Sequence, residues 1–239
     1  MTNDSSLSRA AVFGLAIGLG IAFAGLWIGN AITSTRAMSR FVSVKGLAER
    51  TVDADLAIWP ISFQETGNDL TELHRRINDK RQVISSFLKQ AGFAEDNLSF
   101  STPRINDTQL YADAMRRPPY RYVAEASVTL RSTDVSAVKR AMETSGSLVG
   151  KGVVLVAQNW ESRTQFLFTG LNSIKPEMIE QATKSAREAA DKFAKDSGSM
   201  VGKIRTATQG LFTITDEDPT MPEKKQIRVV TTVEYFLDD

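Results

Sequence analysis

Three groups of side chains supply the chemistry this chain has to offer. Asp216, Glu217 and Asp218 form a run of carboxylates followed by Pro219, Pro222 and Glu223. Carboxylate oxygens hold Ca²⁺ or Mg²⁺ when their spacing wraps an ion. The Asp-x-Asp-x-Asp-Gly spacing of a calcium loop is missing here. The run therefore predicts a solvated hairpin loop between the last two strands, with these three as metal candidates and no metal expected. A second group sets Arg104, Arg116, Arg117 and Arg121, with Tyr111, Tyr120 and Tyr122, around the Pro118-Pro119 turn. Arginine and tyrosine are enriched in protein interfaces, and the same set can grip a phosphate or an anionic lipid headgroup. Subunit contact ranks first for this loop, a plain hairpin second and an anionic ligand third. The third group is His74 with Arg75 and Arg76. Neighbouring arginines disfavour the imidazolium, and no nucleophile or orienting carboxylate accompanies it. His74 reads as a half-exposed helix residue at the edge of the apolar stripe. Glu49, Asp53 and Asp55 pair with no nucleophile either, so neither a catalytic residue nor a cofactor is expected.

Composition removes further classes. The chain has 239 residues, one His and no Cys. Disulfides, thiolate catalysis, iron–sulfur clusters and cysteine-bound zinc are excluded, and so are multi-histidine metal sites. A net charge of +1 gives no global attraction to nucleic acid, so no nucleic-acid partner is expected. No P-loop, Gly-x-Ser-x-Gly or His-Glu-x-x-His run is present. At 42% hydrophobic and 24% charged, the chain has the balance of a folded protein rather than a disordered one.

The front of the chain is different. Residues 1–36 read as a membrane anchor or signal segment. Ala10–Ile32 carries no charge and as a helix would extend roughly 34 Å at ~1.5 Å per residue, enough for a hydrocarbon core of about 30 Å. Trp27 suits the lipid–water boundary. Ala22-Phe23-Ala24 has the small-x-small pattern of a signal-peptidase site, but the apolar run continues past it, which favours an uncleaved single-pass anchor. Gly14, Gly18 and Ala22, with Gly25 and Gly29, place small residues four apart, the spacing at which two membrane helices can approach closely. Such pairs are also ordinary in membrane helices. Arg36, Arg40 and Lys45 outnumber Arg9, a bias toward a cytoplasmic C-terminal region that long translocated domains override.

The elements that must position these groups follow from periodicity. Tyr120–Arg131 alternates strictly, with Tyr122, Ala124, Ala126, Val128 and Leu130 on one face. Ala57, Trp59, Ile61 and Phe63 line another strand, in which Pro60 predicts an edge or a bulge. A C-terminal strand alternates from Ile227 to Leu237. Helical stripes run from Leu70 to Ala91, from Val135 to Met142, and from Ile179 to Phe193, the last with Pro176 in its first turn and with alanines that permit close packing on a sheet. The order is strand–strand–helix three times, closed by a strand pair. This predicts an α+β fold of mainly antiparallel sheets with helices on one face. The soluble region is taken as 41–239, with sub-domains near 41–131 and 132–239.

These residues resemble a known family. Val44-x-Gly46, followed by Val52-Asp53-Ala54-Asp55-Leu56-Ala57, is similar to the opening strand pair of SIMPL-domain proteins, with Ala54 where a proline is usual. The Ala186–Ala194 helix running out through Gly198 and Val201-Gly202-Lys203-Ile204, and Tyr120-x-Tyr122 entering a long strand, fit as well. The order of all these segments carries the resemblance, which covers Phe41–Asp239. It implies a bacterial cell-envelope protein, periplasmic or anchored in the inner membrane with a periplasmic domain. It also implies a link to oxidative-stress tolerance and, as in at least one member, a large ring-like or channel-like homo-oligomer. The family brings no established catalytic residues. Two functions are expected. The first is a non-enzymatic, membrane-anchored homo-oligomeric scaffold. The alternative is a membrane-tethered sensor module recognising an anionic small molecule or lipid.

Overall fold

The structure, a computed structural model, describes residues 14, 17–28, 40–110, 118–157 and 162–238. A helix, α1, covers 17–28. It is followed by β1 (Phe41–Asp53), β2 (Leu56–Gly67), α2 (Leu70–Gln90), β3 (Leu98–Phe100), β4 (Arg104–Asp107) and β5 (Tyr122–Ser132). Then come α3 (Val135–Thr144), α4 (Ser147–Gly150), β6 (Val154–Leu155), β7 (Gln165–Leu167), α5 (Leu171–Asp196), β8 (Met200–Gln209), β9 (Thr213–Asp218) and β10 (Met221–Asp238). The fold is α+β with antiparallel strand pairing, as the element order predicts.

The chain forms two compact units, neither a continuous half of it. One comprises the chain up to Glu49, Lys175–Phe212 and the residues from Arg228 on; the other comprises Arg50–Ile174 and Thr213–Ile227.

The larger unit is built on a six-stranded sheet of order β3-β5-β2-β6, with β4 also on β5 and β7 also on β2. Trp59, Ile61 and Phe63 of β2 and Ala124, Ala126, Val128 and Leu130 of β5 turn one face into a core. Leu73, Ile77, Ile84 and Leu88 of α2 and Val138 of α3 cover it. The period-two and period-3.6 patterns thus meet as the sequence requires. Asp69 caps α2 by accepting the Glu72 N–H at 2.8 Å, and Asp134 caps α3 by accepting the Ala137 N–H at 2.8 Å. The other face of the sheet, bearing Ser62, Gln64, Ser127 and Thr129, is only half-buried.

Pro60 does not mark an edge strand, because β2 is paired along both sides. It falls between the stretch of β2 held by β7 (Leu56–Ile58) and the stretch held by β6 (Phe63 and Gln64). The Ser62 carbonyl accepts the Val156 N–H on that same side. Backbone groups two residues apart point the same way, so the donor that proline lacks faces a gap in the ladder.

In the smaller unit, β10 lies between β1 and β8, and α5 packs on the strands through Ala186 and Ala190 against Val44, Val233 and Tyr235. Ala182, Ala186, Ala190 and Ala194 are all buried along one stripe of α5. Gly46 answers them: a Cβ at this position would collide with the Ala182 carbonyl oxygen and come within 2.5 Å of the Ala186 nitrogen. Helix α5 starts at Leu171, earlier than its proline suggests, so Pro176 lies inside the helix rather than in its first turn.

Candidate interaction surface

One edge of the six-stranded sheet is made by β3 and β4, which pair with β5 and have no strand outside them among the described residues. The sequence keeps this edge in place through a tightly closed hairpin. Asp107 faces Tyr122 in the register, and its carboxylate accepts the Arg121 Nε–H at 2.9 Å and the Gln109 N–H at 3.1 Å. Thr108 donates its N–H to the Arg121 carbonyl at 2.8 Å and its hydroxyl to the Tyr120 carbonyl at 2.8 Å. The Arg121 guanidinium stands 4.9 Å from the Tyr122 ring centre, and the hydrogen bond and charge of Asp107 hold its pKa above the usual arginine value. Arg121 and Tyr122 are therefore occupied in closing the hairpin. Arg104 faces Glu125 across the register yet forms no ion pair among the described residues. Arg116, Arg117 and Tyr111 lie outside the described residues.

The edge is apolar. Phe100 is 48% exposed, Ile105 45%, Leu110 71% and Tyr120 47%. Four large apolar groups around one free strand edge form an unusual surface for a lone soluble domain, because such an edge offers both unpaired backbone and a hydrophobic patch.

The other sequence candidates sit elsewhere. His74 is exposed, and its Nε2 lies 3.1 Å from the Asn78 Nδ2, with no acid or nucleophile bonded to it. Asp216, Glu217 and Asp218 are not in a loop: they belong to β9, and the turn falls at Pro219-Thr220. Each is engaged separately. Asp216 pairs with the buried Lys225. Glu217 accepts the Thr51 hydroxyl at 2.9 Å. Asp218 accepts both the hydroxyl and the N–H of Thr220 at 2.6 Å, which hold its carboxyl below the usual aspartate pKa. Among the described residues no cluster of acids and histidine could hold a metal.

Asp53 pairs with Lys224 at 2.6 Å and Glu49 with Arg228 at 3.5 Å. Asp55 does something the sequence reading missed. Its carboxylate accepts the N–H groups of Thr169 (2.8 Å) and Gly170 (2.9 Å) and the Thr169 hydroxyl (3.1 Å), while its own N–H donates to the Leu167 carbonyl. It thus clamps the turn from β7 into α5, which lets that helix begin ahead of Pro176. The signal was present as an aspartate at the β1–β2 corner, but nothing local named its distant partner.

Gly14, Gly18, Ala22 and Gly25 lie exposed on the helical residues at the front, and no atom comes within 4 Å of a Cβ built on those three glycines. Gly29 lies outside the described residues. No described helix is long and apolar enough to cross a membrane.

Residues 42–235 match the family model SIMPL, described as a protein of unknown function (DUF541). The chain belongs to the SIMPL family. No curated protein matches it. Within this SIMPL protein two parts of the opening strand pair have structural duties. Gly46 gives α5 room to lie on β1, and the aspartate after Ala54 secures the turn into the same helix.

Proposed function

We propose that this SIMPL protein is a non-enzymatic component of the bacterial cell envelope. It is tethered to the inner membrane by its front segment, with the soluble region in the periplasm, and works as a homo-oligomeric scaffold or channel-like assembly that supports tolerance of oxidative and envelope stress. The observation that carries this reading is the free β3–β4 edge with Phe100, Ile105, Leu110 and Tyr120 exposed along it. Burying such an edge between copies would satisfy its backbone and remove apolar area from water, each square ångström contributing about 25 cal/mol. The engagement of every sequence-stated acid in a local structural bond also favours a scaffold over an enzyme.

Light scattering of the detergent-solubilised full chain tests the assembly, and a strict monomer at micromolar concentration would overturn it. Fractionation of the native cell with intact-mass measurement tests compartment and processing, and recovery in the cytosol would overturn the envelope assignment. The alternative, a tethered module that senses an anionic molecule, draws support from Arg104, an exposed cation on the same edge without an ion-pair partner among the described residues.

A further inference from the structure

One end of the smaller unit gathers four chain segments. The Arg40 carbonyl, just ahead of β1, accepts the Leu237 N–H near the end of β10 at 3.0 Å, and the Arg40 guanidinium donates to the Ser199 hydroxyl at 3.1 Å. Ser199 in turn donates its N–H to the Ala194 carbonyl of α5 at 2.8 Å, and Met200 opens β8 opposite Asp238. Gly198, with a φ of 69°, turns the chain from the helix into that strand. The start of β1, the end of β10, the end of α5 and the start of β8 are thus held together in one tip.

Large apolar side chains are exposed at this tip. Met200 is 65% exposed and Phe193, in the last turn of α5, is 61% exposed. Lys192, Lys195, Asp196 and Asp238 stand exposed beside them, so both signs of charge are present. It is also the end at which the chain arrives. Arg40 is the twelfth residue after Ile28, the last of α1, and twelve extended residues reach at most about 40 Å. The opposite end of the unit lies a ten-residue strand farther on, about 30 Å away. Leu211, at that far end, is 89% exposed. Exposure alone therefore does not mark the tip; exposure at the point of entry does.

We propose that this tip is a lipid-docking surface, at which Phe193 and Met200 enter the headgroup boundary of the membrane that holds α1. The inference rests on the membrane tether proposed above and adds a second contact to it. An aromatic ring and a thioether chain enter that boundary without stranding a polar group. Lys192 and Lys195 lay their methylenes alongside and keep their amines at the headgroups. Because the tether already confines the tip near the bilayer, docking is intramolecular, and a few side chains suffice where a free domain would need a larger patch. Asp196 and Asp238 oppose a strongly anionic surface, so the partner is a bilayer of zwitterionic lipid.

The test uses the full chain in phosphatidylcholine nanodiscs. The chain has no cysteine, so Ile21→Cys, Phe193→Cys, Met200→Cys and Leu211→Cys each carry one nitroxide label. Collisions with oxygen, which concentrates in lipid, and with a nickel chelate, which stays in water, locate each label. Labels at positions 21, 193 and 200 are expected to favour oxygen, and the label at 211 to favour nickel. A label in Lys195→Cys examines the tip with its apolar groups intact. Its oxygen preference should fall to the value at 211 when Phe193→Asp and Met200→Asp are introduced together. Both side chains are already exposed, so these changes leave the fold in place. Nickel contact at 193 or 200 with position 21 in lipid would overturn the docking and leave the tether standing, whereas nickel contact at 21 as well would overturn the tether itself. Shielding of 193 and 200 from both collision partners would mean that protein covers the tip, and would overturn the proposal. So would oxygen preference at 211, or a label at 195 that the two aspartates do not move.

Discussion

Gly46 of β1 lies against the backbone of α5 at Ala182, with no space between them for a methyl group. Glycine on the strand and alanine on the helix are two halves of one fit. Together they allow the helix to approach the sheet more closely than ordinary side chains would permit.

Gly46→Ala is therefore expected to force strand and helix apart and cost about 2 kcal/mol or more, as overpacking in a dense interior does. Differential scanning fluorimetry should show Tm lowered by roughly 5 °C or more. Gly146→Ala is the matched control, since a Cβ there meets nothing within 4 Å, and its effect should stay within about 0.5 kcal/mol.

The two aspartates flanking Ala54 should behave differently. Asp55→Ala strands the N–H groups of Thr169 and Gly170, and a cost of about 2 kcal/mol is expected. Asp53 is 75% exposed in its pair with Lys224, so Asp53→Ala should hardly move the midpoint. Urea titration of both variants side by side distinguishes them. Equal effects would mean that the turn into α5 does not depend on the clamp.

Tyr235 is 1% exposed, and burial pushes its phenol above the usual tyrosine pKa, against a smaller opposing pull from the Arg187 guanidinium. That guanidinium stands 5.1 Å from the ring centre. A group with a raised folded pKa binds its proton more tightly in the native state. Its contribution is fully present below about pH 10, where the unfolded phenol ionises, and is lost as pH rises through the folded value. Urea midpoints measured on either side of pH 10 should fall less steeply with pH in Tyr235→Phe than in the parent chain.

On the β3–β4 edge, Ile105→Lys should leave the monomer's Tm nearly unchanged, because the side chain is already 45% exposed. The same change should shift sedimentation toward smaller species, as a lysine on a free edge opposes strand pairing. An unaltered distribution would place any contact between copies elsewhere.

Much of the architecture was legible because it is periodic. The alternation of Ala124, Ala126, Val128 and Leu130 placed β5 and its buried face, and the stripe through Leu73, Ile77, Ile84 and Leu88 placed α2. What sequence could not locate depends on partners distant in the chain. Helix α5 starts ahead of Pro176 because Asp55, far upstream, receives the turn before it. Asp216–Asp218 form a strand despite their charge because β10 supplies the ladder and Lys225, Thr51 and Thr220 supply the bonds. The acids looked alike as letters, and only the fold gives each a different partner.

The pairing of β2 with β5 runs unbroken from Ala57 opposite Ser132 to Gly67 opposite Tyr122. No tight turn joins the two strands; α2, β3 and β4 all intervene. Closing that distance costs chain entropy before any contact rewards it. Refolding should therefore be slow relative to a helical bundle of equal size. In a chain made from its N-terminal end, β2 must wait beside α2, with its hydrophobic face unmatched, until residue 132 has emerged.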